Sequence, residues 1–327
     1  MIAFICRRLL LFLPLLVILS MVSFIIIQLP PGDFLTIYVE QLMRSGSTVS
    51  KEEVARLTKE FGLDQPIYVQ YVIWIKNILL HGNFGRSFLW NKPVNELIKE
   101  RLTLSIVISL FTSLFTLVVG IPIGVYSAVR QYSLFDYIFT FLGFLGLSIP
   151  GFLLVLIIVW IVYSHFGLPI TGLFSQAFVD APWSLAKVID MLKHIWVPAI
   201  TIGLSGTAGI IRTMRANLLD ELGKQYVIVA RAKGLPERRL LFKYPIRIAV
   251  NPMVSTIGWM LPSIFSGETL VSIVLNLPTM GPLFLQALMV QDMYLAGSFV
   301  LIVSFLTLTG TLISDILLAW IDPRIRM

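Results

Sequence analysis

Few side chains in this 327-residue chain could make or break a covalent bond, and their spacing argues against it. Gly203-Leu204-Ser205-Gly206 has the outline of a serine nucleophile in an intramembrane protease. A serine oxygen needs a base within hydrogen-bond reach. His194 precedes Ser205 by three helical turns, roughly 16 Å at 1.5 Å per residue, and no later apolar segment carries a histidine. An intramembrane serine protease is therefore the weakest reading of the chain. The three histidines, His81, His165 and His194, stand at no metal-ligand spacing, and the single Cys6 can form neither an intramolecular disulfide nor a cysteine cluster. No metal site and no catalytic residue are expected. The phosphate-loop pattern G-x-x-x-x-G-K-[ST] is missing too, because Gly223-Lys224 is followed by Gln225 and lacks the upstream glycine. The chain is expected to be neither an ATPase nor any other enzyme, and energy for any work it does must come from elsewhere.

The elements around these residues belong to a membrane. Apolar residues make up 57% of the chain and charged ones 13%, with a mean hydropathy of +0.87, so a bilayer must be its solvent. Crossing roughly 30 Å of hydrocarbon takes about 20 apolar helical residues. Six segments qualify: 9–28, 102–128, 137–163, 195–214, 248–274 and 295–320. The fold class that follows is an all-α integral membrane protein with six transmembrane helices and a small external helical insert after the first. Residues 1–30 form the amino-terminal segment and first span, 31–101 the insert, and 102–327 the core with a polar loop at 217–247.

The net charge of +7 matters by its location. Arg7, Arg8, Arg130, the basic cluster at 212–247, Arg324 and Arg326 fall on alternate connections, whereas the insert carries acids and bases in near balance. The positive-inside bias then puts both termini in the cytoplasm, and an even number of spans agrees. So placed, the charge points to a bilayer and not to nucleic acid. Arg7-Arg8 before an apolar run has the look of a signal peptide, yet the run ends in Leu29-Pro30-Pro31-Gly32-Asp33 without a small-residue cleavage site, and is expected to remain as the first span.

Within the insert, Ser50-Lys51-Glu52-Glu53 has capping-box spacing, followed by Val54, Leu57 and Phe61 on one helical face. A second helix is predicted after Asp64, with Pro66 in its first turn, through Ile67, Tyr71, Ile75 and Leu79 to a break at His81-Gly82. The insert could cap the outer mouth or dock an external partner. Helix breakers recur within the spans, among them Gly120, Pro122, Gly124, Gly143, Gly146, Pro150, Pro198 and Pro252. They suit kinked helices around a cavity, while each glycine alone suits close packing. Glu268 is an ionisable group in the fifth span, where charge is costly unless it faces water or a partner. With Ser266 and Asn276 it is a candidate for lining a translocation route, against a purely structural pairing. Asp315 is expected to snorkel or pair with Arg324.

The most informative stretch is 217–251, too polar to span. Tyr226-Val227-Ile228-Val229-Ala230-Arg231-Ala232-Lys233-Gly234-Leu235-Pro236 reads as a short helix stopped by glycine and proline, with Val227, Ala230 and Leu235 along one side. Small Ala230 and Ala232 would let a partner surface approach, with Arg231 and Lys233 offering donors. A basic helix beside a membrane can equally lie on anionic headgroups. The residues alone leave both readings open.

The run from Ala230 to Pro236, followed about fifteen residues later by Asn251-Pro252, resembles the coupling loop, the EAA motif, of bacterial binding-protein-dependent ABC importer permeases, and more closely the first-subunit branch of the dipeptide/oligopeptide permease family. Similar segments occur in the expected order along nearly the whole chain: Cys6-Arg7-Arg8-Leu9-Leu10, Leu29-Pro30-Pro31-Gly32-Asp33, Gly62-Leu63-Asp64-Gln65-Pro66, Gly82-Asn83-Phe84-Gly85-Arg86-Ser87, Gly120-Ile121-Pro122-Ile123-Gly124, Leu147-Ser148-Ile149-Pro150, Asp315 and Asp322-Pro323-Arg324-Ile325-Arg326. The resemblance implies a type I importer permease fold in the bacterial inner membrane. It implies as partners a second, homologous permease subunit, two cytoplasmic ABC ATPase subunits that use ATP and Mg, and an extracytoplasmic substrate-binding protein, with no cofactor bound by this chain. It implies alternating-access import of oligopeptides, with oligosaccharides as the alternative solute. Two departures stand out: Ile228-Val229-Ala230 replaces the acidic start of the generic motif, and the segment from Ser266 to Gly281 differs from the Trp-Pro-Gly-Leu-Gly form common among peptide permeases.

Overall fold

The computed structural model describes residues 2–28, 58–59, 64–87, 89–167, 170–253 and 269–321. Helices dominate: α1 (Ile2–Gln28), α2 (Ile67–His81), α3 (Val94–Val129), α4 (Leu134–Ser148), α5 (Gly151–Phe166), α6 (Leu185–His194), α7 (Trp196–Leu222), α8 (Gln225–Ala232), α9 (Glu237–Lys243), α10 (Pro245–Ala249), α11 (Thr269–Val274), α12 (Met280–Met289) and α13 (Met293–Ile321). Among the described residues, α1, α3 and α13 are each long and apolar enough to cross a bilayer, and the pairs α4–α5 and α6–α7 are so only when each pair is taken together across its bend, as a broken span or a re-entrant loop. Most of the predicted fifth span, and the predicted insert helix after Ser50 apart from its 58–59 turn, lie outside the described residues.

The segment predicted as a span at 137–163 is broken at Pro150, one of its expected helix breakers. The chain turns by 108° between α4 and α5. Ile149 is extended, with ψ 122°, and Pro150 sits at the N-cap of α5. Proline disfavours helical geometry in the residue before it and offers no N–H to continue the ladder, so the run breaks although it is apolar almost throughout. A gentler 46° bend separates α6 from α7. Helix α7 runs about two turns beyond the predicted end of its span at Met214, so the polar loop starts at Gly223 and not at Asn217.

The chain folds as two compact units. In the unit of residues 1–6, 104–279 and 309–327, glycines permit close helix approach. A β-carbon on Gly120 would lie 2.8 Å from Ile210, and one on Gly124 2.6 Å from the β-carbon of Met214, so α3 and α7 meet backbone to side chain. Gly146 does the same for α4, where a β-carbon would lie 3.0 Å from Leu204 of α7, while one on Gly143 would make an ordinary contact with Ala208 at 3.6 Å. Pro122 lies inside α3 without ending it. On α6, Lys187 is buried with its ammonium on the carbonyls of Val179 and Ala181 in the preceding loop, 3.1 and 2.6 Å away, and Asp190 accepts from Ser175.

In the unit of residues 7–103 and 280–308, Ser20 and Phe24 of α1 pack on Tyr71 and Trp74 of α2. Helix α2 matches the predicted second insert helix, with Pro66 one residue earlier, as the cap, and Gly82 ending it at φ 60°. The following loop is fixed from within. Buried Ser87 donates to Asp292, whose carboxylate also accepts from Leu89 N and from Leu295 N in the first turn of α13. Ser87→Ala should cost about 2 kcal/mol, because it leaves a buried carboxylate short of a donor, and should lower the thermal unfolding midpoint of the purified protein.

Candidate functional site

The polar loop folds into a hairpin of helices on the end of α7. Leu218 is buried with Met214, Ala249 and Met253, and Asn217 donates to the Ala249 carbonyl at 3.3 Å, so the outgoing and returning strands of the loop are tied together at its root. Glu221, one turn on, is buried, and its carboxylate receives both Lys224 Nζ at 2.7 Å and the Tyr226 hydroxyl. Burial, then the hydrogen bond to Glu221, pushes the Tyr226 phenol well above its ordinary value. It therefore stays a donor throughout the physiological pH range. This carboxylate joins the last turn of α7 to the first turn of α8.

Helix α8 is held by a small core of its own. Val227, Ala230 and Leu240 of α9 are buried together, flanked by Leu222, Tyr226, Leu235 and Tyr244. Gly234 makes the reversal at φ 77°, a conformation that L side chains rarely adopt, and Pro236 caps α9. Across the reversal Arg231 grips Glu237 as a fork, Nη2 to Oε1 at 2.6 Å and Nε to Oε2 at 3.2 Å. The Arg231 hydrogen bond holds the Glu237 carboxyl below the usual carboxylate range. Both partners are half exposed, so the pair stabilises the turn only modestly.

These positions redistribute the predicted roles. The spacing of Val227, Ala230 and Leu235 on one side holds, but that side faces the hairpin's own core. Ala230 leaves room for Leu240 instead of for a partner, Tyr226 faces Glu221, and Arg231 is engaged by Glu237. The outward surface of α8 and its reversal presents Ile228 (48% exposed), Val229 (49%), Ala232, Lys233, Gly234 and Pro236, with Phe242 (66%) nearby on α9 and the half-exposed Arg231–Glu237 pair beside it. Helix α8 itself carries no carboxylate, in keeping with the departure of Ile228-Val229-Ala230 from an acidic motif. Glu221 was not singled out in the sequence; the spacing of an acid, a Lys at +3 and a Tyr at +5 across a helix end was its signal.

Of the candidate route residues, Ser266 and Glu268 lie outside the described residues. Asn276 is exposed at φ 51° in the turn that ends α11, where its N–H donates to the Ile273 carbonyl, a conformation for which asparagine is well suited. Asp315 is half-buried in α13, and Arg324 is outside the described residues. Ser205 is exposed on α7, whereas His194 Nδ1 is 2.8 Å from the Asp190 carbonyl.

Comparison with known proteins agrees with this architecture. Residues 120–327 match the model of the family described as binding-protein-dependent transport system inner membrane component, and residues 1–111 match that family's amino-terminal model. The oligopeptide transport system permease protein AppB of Bacillus subtilis is 35% identical over 327 residues, covering 100% of both chains. The dipeptide transport system permease protein DppB of Escherichia coli K12 is 31% identical over 342 residues, covering 100% of this chain and 99% of the relative. A putative peptide permease protein of Brucella suis is 30% identical over 328 residues, again across both chains. With apolar helices that need a bilayer, no phosphate loop in its sequence, and both halves matched, the chain belongs to the inner-membrane components of binding-protein-dependent transport systems, as a pore subunit whose ATP is hydrolysed by separate proteins.

Proposed function

We propose that this subunit forms half of the pore of a peptide importer and receives mechanical work through the outward face of α8. The observation that carries the reading is the hairpin's division of labour: a locked inner face, and a bare apolar outer face rimmed by Lys233. Because α7 extends about 12 Å beyond the predicted end of its span, the hairpin stands clear of a headgroup layer some 5–8 Å deep. That favours a protein partner over a lipid surface. Two ATP- and Mg-using subunits on the cytoplasmic side are the partners proposed, with a second homologous permease completing the pore and an external binding protein delivering solute. Both termini then face the cytoplasm. The names of the relatives, oligopeptide, dipeptide and peptide permeases, support peptides as the solute and give no support to oligosaccharides. Glu268 and Ser266 remain the proposed polar positions along the route.

The double substitution Ile228→Asp and Ala232→Asp places two charges in the outer face without touching Val227 or Ala230. ATP-driven peptide uptake into proteoliposomes holding the full complex should fall at least about tenfold, since central apolar anchors dominate such interfaces, and the ATPase subunits should cease to copurify. Uptake at the parental rate would overturn the reading.

A further inference from the structure

Helices α4 and α7 line a cleft of about 240 Å³. Its composition is graded along its length. One end holds Tyr132, Asp136, Arg212 and Arg215; the other is walled by Phe144, Leu147, Gly143 and Ala208. The apolar end is closed where Gly146 meets Leu204. From Asp136 to Leu147 the cleft rises about 16 Å along α4, close to the half-thickness of the hydrocarbon layer.

The charges at the polar end do not cancel. Asp136 is buried and accepts from Tyr132 N at 3.0 Å and from Arg215 Nη2 at 3.3 Å, so it neutralises Arg215. Arg212 is exposed at the mouth and forms no ion pair among the described residues. A single uncompensated guanidinium above an apolar slot suits a ligand with one negative charge and a hydrocarbon tail. Arginine matches phosphate oxygens bidentately, and basic pockets between membrane helices on the cytoplasmic side bind acidic headgroups.

We infer that this cleft is a binding site for one anionic phospholipid, its phosphate on Arg212 and an acyl chain running past Thr140, Phe144 and Leu147 over the floor where Gly143 meets Ala208. A free peptide carboxylate would satisfy Arg212 but leave the apolar length of the slot unfilled. The choice of the cytoplasmic leaflet rests on the proposed orientation of the termini; occupancy of the cleft does not.

The test uses the intact complex in nanodiscs of phosphatidylcholine with 30% phosphatidylglycerol, extracted and weighed by native mass spectrometry. Arg212→Gln should reduce retained phosphatidylglycerol about fivefold, Arg212→Lys should restore much of it, and Thr140→Trp, at an exposed position that lines the slot, should fill it, keep the charge and also reduce retention. Equal retention by Arg212→Gln and the parent, or displacement of the lipid by millimolar dipeptide, would overturn the site. Labelling of Gln131→Cys by an impermeant thiol reagent reports the orientation separately, so a wrong leaflet and an empty cleft give different results.

Discussion

Replacing Glu221 with alanine is expected to cut ATP-driven uptake about a hundredfold while leaving the amount of permease in the membrane unchanged. The carboxylate receives Lys224 Nζ and the Tyr226 hydroxyl from a buried position, and hydrogen bonds to a charged group contribute about 1.5–3 kcal/mol each. Their loss, about 3 kcal/mol, corresponds to two powers of ten in how firmly α8 follows α7. The hairpin itself should persist, because Val227, Ala230 and Leu240 still close its core. ATP hydrolysis by the complex should therefore continue without transport, and measuring both rates in the same proteoliposomes separates uncoupling from misfolding. Parallel loss of both rates, or normal uptake, would refute this role. As a comparison, Glu237→Ala removes only a half-exposed pair and should change uptake less than about fivefold.

The second large effect concerns folding. Gly124→Leu should lower stability by about 3 kcal/mol and reduce accumulation sharply, because a β-carbon there would lie 2.6 Å from the Met214 β-carbon and 3.0 Å from the Ile211 carbonyl oxygen. Met214 is fully buried and the carbonyl belongs to a helix, so neither has room to withdraw. Gly209, on α7 itself, supplies the contrast. Nothing lies within 4 Å of its missing β-carbon, and Gly209→Ala should raise stability by about 0.5–1 kcal/mol through helix propensity. Thermal unfolding of the two purified variants reads the difference, and a stable Gly124→Leu protein would show that α3 and α7 are not clamped there.

How much of this was legible beforehand depended on range. Long apolar runs identify α1, α3 and α13 because hydrocarbon demands length and leaves little choice of sequence. The turn at Ile149-Pro150 was visible as a breaker, yet hydropathy carries no information about chain direction, so 137–163 read as one span. In the loop, Gly234 and Pro236 announced the end of α8. Which side of α8 faced inward was not decided locally, since Val227 with Ala230 and Ile228 with Val229 make two apolar sides. Leu240, ten residues further on, makes that choice through packing. The Arg231–Glu237 pair and the Glu221 hub were hidden for the same reason: each bridges a reversal or helix end whose geometry is tertiary.

Helix α7 has one more implication. It continues unbroken from Trp196 to Leu222, a rod about 40 Å long, and its carboxyl-terminal end is bolted to the hairpin through Glu221. A rod without a joint behaves as a lever. Tilting it by about 10° about its Trp196 end sweeps the Leu222 end through about 7 Å at that length, so a modest rotation at one end and a stroke of several ångströms at the hairpin are one and the same movement.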